Sequence, residues 1–188
     1  AEIKLTRVEV AGLTTYRSAV TVLQRAELVE RLGRVVEART LTLGDEGRIV
    51  YLQLSDLLAG VDFIKRAVLR DYLKPLRNSV IRQAMEDLSA MTASDLEDPS
   101  RVGKELGFPD IDDPADPRGY RLLSQVGRLP DPVRDDIIRH FGSASSLLEA
   151  RVDELLSVEG VGETRAGQLR AYFDRLRDSA DEWEPVLD

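Results

Sequence analysis

The sequence predicts a mainly α-helical protein of two domains, and three observations carry the prediction. Apolar residues recur at helical spacing through much of the first hundred positions, a stretch rich in proline and aspartate interrupts the chain past its middle, and the segment beyond it repeats itself at an offset of 32 residues. The composition is that of a globular chain: of 188 residues, 43% are hydrophobic, 32% charged and 5% aromatic. There is no cysteine and one histidine, which excludes disulfides and thiolate nucleophiles and leaves too few of the usual ligands for a structural zinc site. No apolar run reaches the roughly 18 residues that a membrane-crossing helix needs, and no charged-then-apolar leader opens the chain. A cytoplasmic protein with no membrane partner is the expectation.

Across residues 19–39, Val22, Leu23, Ala26, Val29, Leu32 and Val36 fall at helical spacing with Gln24, Arg25, Glu30, Arg31 and Arg34 between them. This predicts an amphipathic helix of about five turns. Residues 40–43 and 48–54, rich in Val, Ile, Leu and Thr, flank Gly44-Asp45-Glu46-Gly47 and read as one short β-hairpin or, equally, as an extended connector. Residues 57–76 and 80–91 return to helical spacing, the first closing at Pro75, whose ring disfavours helix in the residue before it. Residues 1–98 thus form one helical domain. Residues 99–117 read as a connector: a short helical piece at 102–106 precedes Phe108 to Pro117, where three prolines and four aspartates block a helix and promise little burial. An acidic metal loop is the rival reading of those aspartates, but the glycine turn of a calcium loop is missing.

Residues 118–178 carry the internal repeat. Leu123, Val126, Leu129, Ile137 and Phe141 correspond to Leu155, Val158, Val161, Leu169 and Phe173, each set ordered helix, tight turn, helix. Residues 179–188, with Asp181-Glu182-Trp183-Glu184, read as a frayed acidic tail. The net charge of −8 is the wrong sign for coating nucleic acid by bulk electrostatics. It is unevenly spread, since residues 118–178 hold 10 basic and 10 acidic side chains while 1–117 hold 16 and 20 and the last ten residues hold none and 4. All ten basic residues of the repeat are arginine, whose planar fork suits phosphate, although an arginine-rich genome produces the same bias.

The second repeat reads Leu155, Leu156, Ser157, Val158, Glu159, Gly160, Val161, Gly162, Glu163, Thr164, Arg165, Ala166, Gly167, Gln168, Leu169. It meets every position of the helix-hairpin-helix pattern apolar-x-x-apolar-x-Gly-apolar-Gly-x-x-x-Ala-x-x-apolar. Glycine tolerates the positive φ of a tight reversal and, lacking Cβ, lets a ligand approach the backbone. Val161 pins the turn, and the small Ala166 lets the two helices close. The amides of Gly160, Val161, Gly162, Glu163 and Thr164 then face outward at a helix N-terminus, where free N–H groups and the helix dipole favour an anion. A nucleic-acid phosphate is the expected anion, read without regard to base sequence. Arg165 and Arg170 lie on or near the same helix and add charge. The plainer alternative is a helix capped by Gly160 and a turn that packs and binds nothing.

The first repeat departs where it matters. Arg128 and Pro130 replace the two glycines and Arg134 the alanine; Pro130 removes an amide donor, while Arg128 and Arg134 offer side-chain contacts instead. This hairpin is either a structural partner or a second DNA contact. His140 falls near a helix end, with a partly exposed position expected and no catalytic role.

With these residues in hand, the chain resembles the C-terminal part of the DNA integrity scanning (DisA) family of bacterial diadenylate cyclases. The resemblance covers almost the whole chain and rests on Thr21-Val22-Leu23-Gln24-Arg25-Ala26-Glu27, Leu43-Gly44-Asp45-Glu46-Gly47-Arg48, Gln53-Leu54, Arg70-Asp71-Tyr72, Pro117-Arg118-Gly119-Tyr120-Arg121-Leu122-Leu123 and the paired hairpins. It implies a helical linker domain, or spine, followed by a tandem helix-hairpin-helix domain that binds branched or junction DNA and restrains a cyclic di-AMP-forming domain. The cyclase motifs of that family, Asp-Gly-Ala and Arg-His-Arg, have no counterpart here, so no catalytic residue, metal or cofactor is expected. The resemblance also implies a nucleoid-associated bacterial protein. The amphipathic helix of residues 19–39, with that of 57–76, is expected to form a helical bundle that self-associates through exposed apolar surface. A protein-interaction and assembly module with a degenerate hairpin domain is the rival functional class.

Overall fold

A computed structural model describes residues 15–40 and 44–181. They form α-helices and no strand, the one β-type pairing among them being an isolated bridge between Thr15 and Pro114. By packing they divide into two compact units that part between Ala115 and Asp116.

The first unit is built on two long helices, α1 (Tyr16–Thr40) and α2 (Gly44–Tyr72), followed by α3 (Asn78–Ala90) and the short α4 (Ala93–Leu96) and α5 (Pro99–Glu105). α1 and α2 run antiparallel: Glu27 meets Lys65, Gly33 lies against Leu58 and Glu37 takes a hydrogen bond from Ser55. At Gly33 the approach is close enough that a Cβ would stand 2.5 Å from the Leu58 Cδ2. Near the domain's base, Ala19, Val20 and Leu23 of α1 meet Val68, Leu69 and Tyr72 of α2, with Ile81, Leu88 and Val102 closing the core. α4 is held at its start by a reciprocal cap, the Asp95 amide donating to Thr92 Oγ1 and the Thr92 amide to Asp95 Oδ2.

Three expectations are corrected here. The β-hairpin does not form: α2 starts at Gly44 and runs unbroken through 48–54, residues 41–43 lying outside the described residues. Its shielded positions Gly47, Tyr51, Leu54, Leu58, Val61, Lys65, Val68 and Tyr72 repeat every three or four residues, so one continuous helical face overrides the local β preference of Ile49 and Val50. The face of α1 is also different. Val29, Leu32 and Val36, expected to be apolar contacts, are exposed, and Leu32 is 66% accessible, while Gln24, Glu27 and Glu30 are buried. The physical reason stands on α2: Lys65, only 2% accessible, ion-pairs with both Glu27 (2.8 Å) and Glu30, and Arg31 and Arg34 clamp the same carboxylates from one turn on. Finally, the stretch from Phe108 to Pro117 buries more than its prolines promise. Phe108 and Ile111 join the first core, and Arg17 grips Asp112 through two hydrogen bonds of 2.6 and 2.8 Å.

The second unit contains α6 (Tyr120–Ser124), α7 (Asp131–Phe141), α8 (Ala144–Glu149), α9 (Val152–Leu156) and α10 (Glu163–Asp181). α6 and α7 form one hairpin, α9 and α10 a second, and α8 joins them. The ten repeat positions behave as a single set: Leu123, Leu129, Ile137, Leu155, Val158, Val161, Leu169 and Phe173 are buried in one core, with Val126 and Phe141 packed at its edge. The expected acidic tail lies beyond Asp181, outside the described residues.

Candidate nucleic-acid interface

In the second hairpin the chain leaves α9 and reverses at Gly160, where φ is +80°. A Cβ there would also stand 2.8 Å from Val133 Cγ2 of the first hairpin, so glycine is needed twice over. The Val161 amide donates to the Val158 carbonyl (3.1 Å), pointing Val161 into the core, and the fully buried Ala166 lets α10 close on its neighbours. From Ala166 onward the helix satisfies its own amides, beginning with donation to the Gly162 carbonyl at 2.9 Å. The four amides before it, of Gly162, Glu163, Thr164 and Arg165, have no acceptor among the described residues. Gly162 differs from Gly160: its φ is not positive and the place of its Cβ is open space. The turn therefore requires Gly160 for its conformation and leaves Gly162 as clearance above the free amides.

The first hairpin keeps the shape of the turn and loses half of its donors. Arg128, which the repeat aligns with Gly160, takes up the same left-handed backbone at φ 61°, a conformation that L side chains seldom adopt. Pro130 and Pro132 align with Gly162 and Thr164, so two of the four equivalent amides do not exist. Pro132 escaped the sequence reading, although the offset of 32 points straight to it.

The arginines named from sequence separate by what they touch. Arg165 donates from Nη1 to the Gly160 carbonyl at 2.6 Å, stitching the turn from outside. Arg134 is folded back on its own hairpin, donating to Asp131 Oδ1 (2.6 Å) and the Leu129 carbonyl (3.3 Å). Arg170, expected beside a phosphate, is 15% accessible and donates instead to the carbonyls of Leu148 (3.1 Å) and Ala150 (2.5 Å) at the end of α8. Its other nitrogen, Nη2, lies 3.0 Å from Asp174, and hydrogen bonds from Arg170 and Arg177 hold that carboxyl below the usual range. Arg170 thus fastens α10 to α8. His140 is exposed at the last turn of α7, 3.5 Å from Ser157 Oγ.

The two turns meet at one cleft of about 530 Å³, lined by Val126, Gly127, Arg128 and Leu129 from the first hairpin and by Gly162 to Arg165, Gln168 and Leu169 from the second. Its charged lining residues are Arg128, Arg165 and Glu163, so the cleft carries a net +1 in a chain of net −8. The Glu163 carboxylate favours the helix start but opposes an anion; its amide, not its side chain, is the useful donor. No group of three or more His, Asp or Glu that could hold a metal exists among the described residues, and no helix there is long and apolar enough to cross a membrane.

Fold and site together define a mainly α-helical protein in which a long antiparallel helix pair precedes a duplicated hairpin with an amide-rich, weakly basic cleft. The chain belongs to the family of the DisA bacterial checkpoint controller linker region, whose sequence profile matches residues 2–113. It is similar over 94% of its length to proteins named "DNA integrity scanning protein DisA": 39% identical over 182 residues in Acidothermus cellulolyticus, 40% over 181 in Frankia alni and 39% over 183 in Streptomyces avermitilis. The chain spans about half the length of these curated relatives, 49–50%. The part matched by the family is its linker region.

Proposed function

We propose that the second unit is a helix-hairpin-helix module that binds DNA through its phosphate backbone, without regard to base sequence and with a preference for branched or junction structures. The observation that carries this reading is the set of four unpaired amides, Gly162 to Arg165, at the start of a 19-residue helix and on the wall of an open cleft. Such groups attract an anion by hydrogen bonding and by the helix dipole. They contact phosphate and carry no base information. The name "DNA integrity scanning protein" borne by the relatives supports DNA as the partner. The resemblance extends the reading to restraint of cyclic di-AMP synthesis in a full-length, nucleoid-associated protein.

The test copies the first hairpin's own residue into the second. Thr164→Pro deletes one amide at a helix position where Pro132 already shows that proline is accommodated. Binding to a four-way junction, read by fluorescence anisotropy, is expected to weaken about fivefold to tenfold with the melting temperature held. Unchanged affinity in a folded Thr164→Pro protein overturns the backbone-amide reading.

A second property rests on the first unit. Leu32, Val35, Ile49 and Leu52 are each more than half exposed, and monomeric soluble surfaces seldom carry so many large apolar side chains on two adjoining helices. We infer that this helix pair self-associates.

A further inference from the structure

The first hairpin lost amides, but its turn still reaches the cleft, and the residue it presents there is Arg128. We propose that Arg128 is the side-chain half of a composite phosphodiester site, its guanidinium acting on the same nucleic-acid backbone that the second hairpin's amides hold. This deepens the DNA-binding reading above and rests on it.

Three features of Arg128 point the same way. It occupies a left-handed backbone position, φ 61°, where the aligned residue of the second hairpin is glycine, so glycine is the easier choice for the turn itself. Its side chain is exposed and makes no hydrogen bond or ion pair among the described residues. Most of its neighbours in the same unit behave otherwise: Arg134, Arg139, Arg151, Arg170 and Arg177 each pair with a carboxylate, and Arg165 with a carbonyl, while Arg175, equally exposed and without a hydrogen bond or ion pair among the described residues, does not line the cleft. An arginine that the turn does not favour, that no neighbour neutralises and that lines a cleft opposite four free amides is suited to an external anion.

The repeat explains how one ligand reaches both halves. Its offset of 32 carries Gly160 onto Arg128 and Val133 onto Arg165. Gly160 packs on Val133, and the partners related to them by the repeat, Arg128 and Arg165, line a common cleft. The pairing that is a dry contact on one side is thus an open, cationic gap on the other. Arg128 and Arg165 together outweigh Glu163 across that gap. A phosphodiester strand, with successive charges along it, can engage the guanidinium and the amides at once, whereas a single free phosphate reaches only part of the site.

Arg128→Gly separates a binding role from a structural one, because glycine fits the left-handed turn at least as well. The melting temperature is expected to stay level or rise. Affinity for a four-way junction in anisotropy is expected to fall about tenfold, and the slope of log affinity against log salt to drop by about one phosphate contact. Arg128→Lys, keeping the charge without the fork, is expected to recover part of the affinity with the wild-type salt slope. Inorganic phosphate, added against chloride of equal ionic strength, is expected to compete only weakly. If wild-type protein binds junction DNA but Arg128→Gly binds as tightly with an unchanged slope, the composite site is wrong and the second-hairpin reading stands. If Arg128→Gly unfolds, the turn needs the arginine and the proposal also fails. If wild-type protein binds no DNA, both readings fall together. Displacement of DNA by low-millimolar phosphate overturns the extended-strand ligand in favour of a single-anion pocket.

Discussion

Gly160 sits in the left-handed region with Val133 against the place where its Cβ would lie, whereas Gly162 has an ordinary φ and open space above it. The two glycines of the motif are therefore not equivalent, and alanine separates them. Gly160→Ala is expected to cost about 1–2 kcal/mol for the backbone alone, with a further cost from displacing Val133, and to lower the melting temperature by several degrees. Gly162→Ala is expected to leave stability level or slightly higher, since alanine restricts the unfolded chain, and to weaken DNA binding by placing a methyl group over the free amides. Thermal circular dichroism and anisotropy on the same two proteins check both halves. A Gly162→Ala protein that melts as low as Gly160→Ala shows the second glycine to be structural after all. Replacing both together would confound folding with binding.

The α1–α2 pair shows what a charge at the wrong place in a pattern can mean. Glu27 and Glu30 face α2 because Lys65 is there to meet them, and the apolar residues of the same turns point outward in consequence. Removing the lysine leaves two buried carboxylates facing one another, so Lys65→Ala is expected to destabilise the unit by about 3–5 kcal/mol, read by chemical denaturation. Burial pushes the Glu30 carboxyl up, but its ion pairs with Lys65 and Arg34 outweigh that and hold it below the ordinary range. A depressed folded-state pKa stabilises the fold above the unfolded carboxylate value, about 4.3, and the contribution is lost as pH falls through the lower folded value. The gap in melting temperature between wild type and Glu30→Gln should therefore be widest near pH 7 and narrow as pH falls from about 5 toward 3. A gap independent of pH removes the ion pairs as its cause. Asp112, held low by Arg17, and Asp95, held low by the Thr92 amide and hydroxyl, add to acid sensitivity in the same direction.

At the scale of the molecule, the two proposed properties fall to separate units: a helix pair with exposed apolar side chains, and a small hairpin unit whose cleft is positive within an acidic chain. Self-association of the first is checked by sedimentation velocity across a micromolar concentration series. The wild-type chain is expected to shift to larger species with concentration, and Leu32→Glu, altering an exposed side chain without touching the core, to remain monomeric. A wild-type chain that stays monomeric at high micromolar concentration overturns the inference. DNA binding should be equal in both proteins at low concentration, because the cleft lies wholly within the second unit.

The hairpin unit was legible in the sequence because its signal is local. Gly160, Val161, Gly162 and Ala166 hold their spacing inside one turn and two short helices, and the repeat marked in advance the buried set from Leu123 to Phe173. The helix pair was harder to read. Short windows around Ile49 and Val50 carry β-branched residues that suit a strand, and only a partner helix running the length of residues 47–72 selects the 3.6-residue period instead. Residue type likewise suggested that Leu32 is inside and Glu30 outside, until Lys65, 35 positions away, reversed the two. The arginines followed the same logic: sequence put Arg128, Arg134, Arg165 and Arg170 near a turn, and tertiary packing tied Arg134 and Arg170 to carbonyls and left Arg128 free at the cleft. Turn chemistry is set by a residue and its immediate neighbours, so the sequence determines it. The face that a helix buries, and the partner that a charge finds, depend on segments distant along the chain, and only the tertiary structure decides them.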